Sequence, residues 1–89
     1  MLHYNIKVYG LVQGVFFRDS TVNKAKELSI KGFVKNLPDS SVYIEAEGDE
    51  NDLKNFIEWC KEGPPSAQVD DVALEEDKIS YFESFAIRF

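Results

Sequence analysis

The chain has 89 residues, enough for one compact domain and too few for a second core. With 44% apolar and 29% charged residues, seven Phe and four Tyr, it can fill a core and is not compositionally disordered. The net charge of −6 argues against a nucleic-acid partner, whose binding rests mainly on phosphate neutralisation, and no apolar run approaches the roughly 18 residues of a membrane span.

Met1-Leu2-His3-Tyr4-Asn5 leads into an alternating pattern and not into a basic-then-apolar leader, so a cytoplasmic location is expected. One cysteine makes no internal disulfide, and one histidine without a second Cys nearby is a poor metal set, so no metal is expected. His3, close to the terminus, reads as incidental. Charge is unevenly spread. Residues 1–36 hold Lys7, Arg18, Lys24, Lys26, Lys31 and Lys35 against Asp19 and Glu27, a net +4, which leaves −10 for residues 37–89. Screening is effective beyond about 8 Å at physiological salt, so a small anion beside Arg18 would respond to its immediate surroundings and not to the global sign.

From Tyr4 to Val12 the chain alternates, with Tyr4, Ile6 and Val8 on one face and Asn5 and Lys7 on the other, which predicts a half-buried strand. Gln13-Gly14 breaks the period, and Gly14 permits backbone angles that bring successive N–H groups round to one spot. Phe17, Thr21 or Val22, Ala25 and Leu28 then follow helical spacing as far as Gly32, a natural stop, so Arg18 falls at or just before the first helical turn. Phe33 to Leu37 is short and apolar, and Pro38-Asp39-Ser40-Ser41 is turn chemistry. Val42, Ile44 and Ala46 alternate with Tyr43, Glu45 and Glu47, a strand that pairs with the previous one as a hairpin.

Asp49 is placed to cap a second helix, whose Leu53, Phe56, Ile57 and Cys60 form one apolar stripe; Cys60 is therefore expected to be a buried structural thiol. Gly63-Pro64-Pro65-Ser66 ends that helix. Val69, Val72 and Leu74 suggest a fourth strand of uncertain limits, and Phe85, Ile87 and Phe89 a last one. The expected fold is α+β: a ferredoxin-like split βαβ in the order β-α-β-β-α-β plus a C-terminal strand, with two helices on one face of a mainly antiparallel four- or five-stranded sheet, spanning 1–89 as one domain.

A strand, a glycine turn and a helix start together make an anion site, because unpaired N–H groups and the helix dipole converge there. The fork of donors on Arg18 matches two phosphate oxygens. Such turns are common, so this alone leaves a phosphate cradle open. The residues from Gly10 to Arg18, Gly-Leu-Val-Gln-Gly-Val-Phe-Phe-Arg, with Gly32 to Ser40, the loop Gly63-Pro64-Pro65-Ser66-Ala67 and the ending Phe85 to Phe89, resemble the acylphosphatase family over nearly the whole chain.

That resemblance implies hydrolysis of the mixed anhydride of a carboxylic acid and phosphate, with an acyl phosphate as substrate, inorganic phosphate as product and no cofactor. It implies that Arg18 holds the phosphoryl oxygens together with the backbone N–H groups of Gln13, Gly14, Val15, Phe16 and Phe17, and that Asn36 orients the attacking water. The side chains of Gln13 and Phe17 are expected to be structural. Leu11 departs from the cationic residue of many relatives, and Ser40 from the glycine that usually follows Asp39. Other readings stand beside this one: Arg18 paired with Asp19, Asn36 as an ordinary turn residue, and a non-catalytic phosphate- or carbamoyl-phosphate-binding accessory domain. An RNA-binding sheet would need exposed aromatics such as Tyr43, whose strand also carries Glu45 and Glu47. A monomer is expected.

Overall fold

The computed structural model describes all 89 residues, Met1–Phe89. Its elements run β1 (Leu2–Leu11), α1 (Phe17–Glu27), β2 (Lys31–Asn36), β3 (Val42–Gly48), α2 (Glu50–Glu62), β4 (Gln68–Asp77) and β5 (Phe85–Ile87). The five strands form one sheet in the order β4-β1-β3-β2-β5. All neighbours are antiparallel except β2 and β5, which are parallel. This is the expected split βαβ, and the sheet has five strands.

The two apolar stripes explain the layers. Ile6 and Val8 of β1 lie opposite Ile44 and Val42 of β3, and all four are fully buried. Phe17, Thr21 and Ala25 of α1 and Leu53, Phe56, Ile57 and Cys60 of α2 are the buried residues of the helices that cover them. Burial pushes the Cys60 thiol pKa upward, which keeps it protonated and inert, as a structural thiol should be.

Several local expectations need correction. α1 does not run to Gly32: it ends at Glu27, and Ser29 takes a left-handed angle (φ 58°) just beyond it. Gly32 instead lies inside β2, where an added Cβ would sit 1.8 Å from the Glu45 carbonyl oxygen, so close backbone approach and not helix termination requires it. Asp49 occupies the N-cap position of α2, but its side chain makes no capping bond. β2 stops at Asn36 and leaves Leu37 outside, and β5 stops at Ile87 and leaves Phe89 beyond it.

His3 is not incidental. It is 1% exposed, and its Nδ1 lies 2.7 Å from Glu47 Oε2 while its Nε2 lies 2.9 Å from Asn5 Oδ1 and 3.1 Å from Glu45 Oε1. Glu47 is equally buried, and it also accepts the N–H groups of Ser80 and Phe82. Those two residues belong to the segment that carries the chain from β4 at one edge to β5 at the other. Phe82 stacks on His3 at 5.9 Å and meets Phe33 edge-on at 5.8 Å. The helix-free face of the sheet is thus partly closed by its own chain. Phe33 is buried and so offers no stacking platform for RNA bases, and the Tyr43 hydroxyl donates to Glu45, which places a carboxylate beside that ring.

Burial opposes the charge on both His3 and Glu47, yet their mutual contact reverses the balance. The bonds to Glu47 and Asn5 and the charge of Glu45 hold the His3 pKa above its ordinary 6.5, and His3 with the two N–H donors holds Glu47 below its ordinary 4.5. The Glu47 contribution to stability is present above pH 4.5 and is lost on acidification through its depressed value. The His3 contribution is present below pH 6.5 and is lost as pH rises through its raised value. Thermal melts across this range should therefore show a maximum between the two limbs. In Glu47→Gln both limbs should flatten and stability near pH 6 should fall by about 2 kcal/mol, the scale of a charged hydrogen bond. A variant that melts with the parent profile would contradict the pairing.

Candidate active site

The end of β1 leads through Val12 into a loop whose backbone turns left-handed twice, at Gly14 (φ 73°) and at Phe16 (φ 63°). Left-handed residues spaced in this way turn successive N–H groups toward one concavity. Among the backbone bonds outside helices and strands, none is donated by the N–H of Gln13, Gly14, Val15 or Phe16. Phe16 is the N-cap of α1, and the first bond of the helical ladder runs from Ser20 N–H to the Phe16 carbonyl (3.1 Å), so the N–H groups of Phe17, Arg18 and Asp19 precede the ladder. The loop therefore offers main-chain donors at the positive end of a helix dipole. Its shape is held from outside: Ser66 Oγ donates to the Val15 carbonyl (2.7 Å), and Gln13 Nε2 donates to the carbonyls of Leu37 and Ser41, both at 2.9 Å. Phe17 is buried and packs against Trp59. The Gln13 and Phe17 side chains are thus structural, as expected.

Arg18, the second residue of α1, takes part in none of the ion pairs of the fold, so it is not neutralised by Asp19. Its guanidinium lies 5.3 Å from the Phe89 ring. Asn36 closes β2, and its Oδ1 is buried without a hydrogen-bond partner in the chain. A buried acceptor left unpaired costs about 1–3 kcal/mol, which marks it as poised for a donor from outside the protein. Arg18 and Asn36 line one cavity of about 340 Å³ together with Gly14, Phe16, Val12, Asp19, Ile87 and Phe89. A guanidinium and loop N–H groups can bind an oxyanion there, while an amide oxygen can accept a hydrogen bond from a neighbouring water.

The turn after Asn36 is braced by charge. Lys7 Nζ lies 2.9 Å from Asp39 Oδ2, and Asp39 Oδ1 accepts both the hydroxyl and the N–H of Ser41. The Ser41 hydroxyl, then Lys7 and the Ser41 N–H, hold the Asp39 carboxyl well below the usual carboxylate range. Ser40 carries the left-handed angle, φ 75°, that a glycine would take without strain. Ile87 and Phe89 were not expected at the site. Their alternation with Phe85 is visible in sequence, but only the parallel pairing of β5 with β2 brings them beside Asn36.

A family model described as Acylphosphatase matches residues 4–87. The chain belongs to the acylphosphatase family. It is similar to the acylphosphatase of Thermotoga maritima, with 48% identity over 94% of this chain and 93% of that protein. Among solved structures it is similar to acylphosphatase from Bacillus subtilis, at 40% identity and a TM-score of 0.97, with full coverage of both chains. It also resembles part of full-length HypF solved in a phosphate- and nucleotide-bound form, at 35% identity and a TM-score of 0.88, covering 99% of this chain and 12% of that one. No helix of this chain is long and apolar enough to cross a membrane.

The strained turn beside Asn36 gives a direct test. Replacing Ser40 by Gly should relieve a left-handed L-residue and raise stability by about 1 kcal/mol, read as a higher urea midpoint. A lower midpoint would show that the serine is not strained there.

Proposed function

We propose that the protein hydrolyses the carboxyl–phosphate bond of acyl phosphates, with Arg18 and the loop N–H groups of Gln13 to Phe17 gripping the phosphoryl group and Asn36 aiming the attacking water. The observation that carries this reading is that the unpaired Oδ1 of Asn36 and the guanidinium of Arg18 share one cavity with the donor loop. The water oxygen attacks phosphorus, the P–O bond to the acyl group breaks, and the electron pair leaves on a carboxylate. The products are the carboxylate and inorganic phosphate.

The chemistry asks little of a base. A carboxylate is a good leaving group, so the enzyme need mainly place water in line and stabilise charge on the equatorial oxygens. An amide cannot take a proton at neutral pH, and the water proton passes to a phosphoryl oxygen of the substrate itself. No metal or organic cofactor enters this scheme. In this reading residues 1–89 act as one unit, a cytoplasmic monomer, with Arg18, Asn36 and the donor loop around a single cavity.

The accessory-domain reading draws on HypF, in which the matching region is a small part of a large protein. Hydrolysis is favoured because the Thermotoga relative, named as an acylphosphatase, is matched over nearly its full length. Phosphate release from acetyl phosphate in EDTA decides between them. Turnover should be metal-independent. Arg18→Ala should lose at least about 10³-fold in kcat/KM, because the anchor and its charge go together, and Asn36→Ala should lose about 10²-fold or more, mainly in kcat. Phosphate binding without turnover would favour the accessory domain, and full activity in Arg18→Ala would refute the mechanism.

A further inference from the structure

A residue far away in sequence orients one peptide of the donor loop. In a trans peptide the C=O and the N–H point in opposite directions, so whatever fixes a carbonyl also aims the amide joined to it. Ser66 Oγ donates to the Val15 carbonyl across 51 residues of chain, and no other side chain bonds a carbonyl of Gln13 to Phe16. Gly14, Phe16 and Arg18 line the cavity while Val15 and Ser66 do not, so the Val15 carbonyl is drawn to the side away from the cavity and the Phe16 N–H is turned toward it. That N–H is among those the backbone leaves free. Ser66 itself stands on a rigid platform. The Ala67 N–H closes a turn on the Pro64 carbonyl at 2.9 Å, with Pro65 at the position where proline pre-sets the turn angle and Ser66 next to it. Pro64 is buried, and the Phe17 ring lies 2.8 Å from where a Cβ on Gly63 would stand, so the segment packs directly on the first residue of α1.

We propose that Ser66 is a positioning residue of the hydrolysis: its hydroxyl holds the Val15–Phe16 peptide so that the Phe16 amide is aimed at the phosphoryl group. The inference rests on the phosphoryl site proposed above and adds to it a side chain from the α2–β4 loop. Ser66 touches no reacting atom and acts only through the peptide it holds. Without its hydroxyl, water is the remaining partner of the Val15 carbonyl, and the peptide is free to tilt its N–H out of the cavity. A donor that must be re-aimed during the reaction loses most of its value, because oxyanion donors work by being oriented beforehand. Fold stability alone is a weak reason for the bond. Ser66 is exposed, and a neutral hydrogen bond that water can replace adds little to folding.

Amide NMR of the whole chain, titrated with inorganic phosphate, reads the orientation directly. In the parent the Phe16 N–H signal should move downfield as phosphate saturates, as a donor to an anion does. In Ser66→Ala that movement should be largely lost. Removing an oxyanion donor outright costs about 10²–10³-fold in kcat, so loosening one should lower kcat for acetyl phosphate about tenfold, while phosphate affinity, still anchored by Arg18, changes by less than about threefold. Ser66→Thr keeps the hydroxyl and should restore both the shift and the rate. A Ser66→Ala variant that retains the Phe16 shift and the parent kcat would overturn the positioning role, as would a loss of rate that Ser66→Thr shares in full. A parent in which other loop amides answer phosphate and Phe16 does not would overturn it too, leaving the phosphoryl site standing. If no amide from Gln13 to Phe17 responds in the parent, the phosphoryl site itself fails, and the role of Ser66 with it.

Discussion

Two hydrogen bonds from one amide hold the site together. β1 and β2 both pair antiparallel with β3, so they run in the same direction and end at the same edge of the fold. Val42, the first residue of β3, is the register partner of both Val8 and Asn36, which sets Asn36 level with the last part of β1. The chain after β1 then rises into the donor loop, and Gln13 reaches from it to the carbonyls of Leu37 and Ser41 on either side of the β2–β3 turn. The oxyanion side and the amide side are thereby fixed relative to each other through β3, which pairs with both strands. Catalysis by positioning demands such rigidity, because an ångström of play between water and phosphorus costs orders of magnitude in rate.

The uneven charge finds a structural reason. β4 is an edge strand that pairs only with β1, and it carries Asp70, Asp71, Glu75, Glu76 and Asp77. Like charges along an exposed edge discourage pairing with another chain, and β5 at the opposite edge is only three residues long. The acidity of the second half thus protects the sheet and says little about the ligand. Arg18 keeps its charge uncommitted in the first half, where an anion would meet it.

What was legible in sequence was local. Strand period, the glycine turn and the stripe Leu53, Phe56, Ile57 and Cys60 follow from spacing alone, and Arg18 and Asn36 stood out because the family pattern lies in contiguous stretches around them. What was missed depends on which strands become neighbours. His3 pairs with Glu47 only because β1 lies against β3, and Ile87 and Phe89 reach the site only because β5 returns beside β2. The helix stop was misplaced because Ser29 adopts an angle that propensity reserves for glycine, while Gly32 answers to a carbonyl thirteen residues away in sequence. The site therefore came partly from motif and partly from topology, and the apolar half is the topological part.

The proposed hydrolysis requires that water attack phosphorus and not the carbonyl carbon. Hydrolysis of acetyl phosphate in ¹⁸O-labelled water locates the broken bond. The enzyme-dependent reaction should place the label in inorganic phosphate and none in acetate. Label in acetate would mean attack at carbon, and the roles given to Arg18 and Asn36 would be wrong.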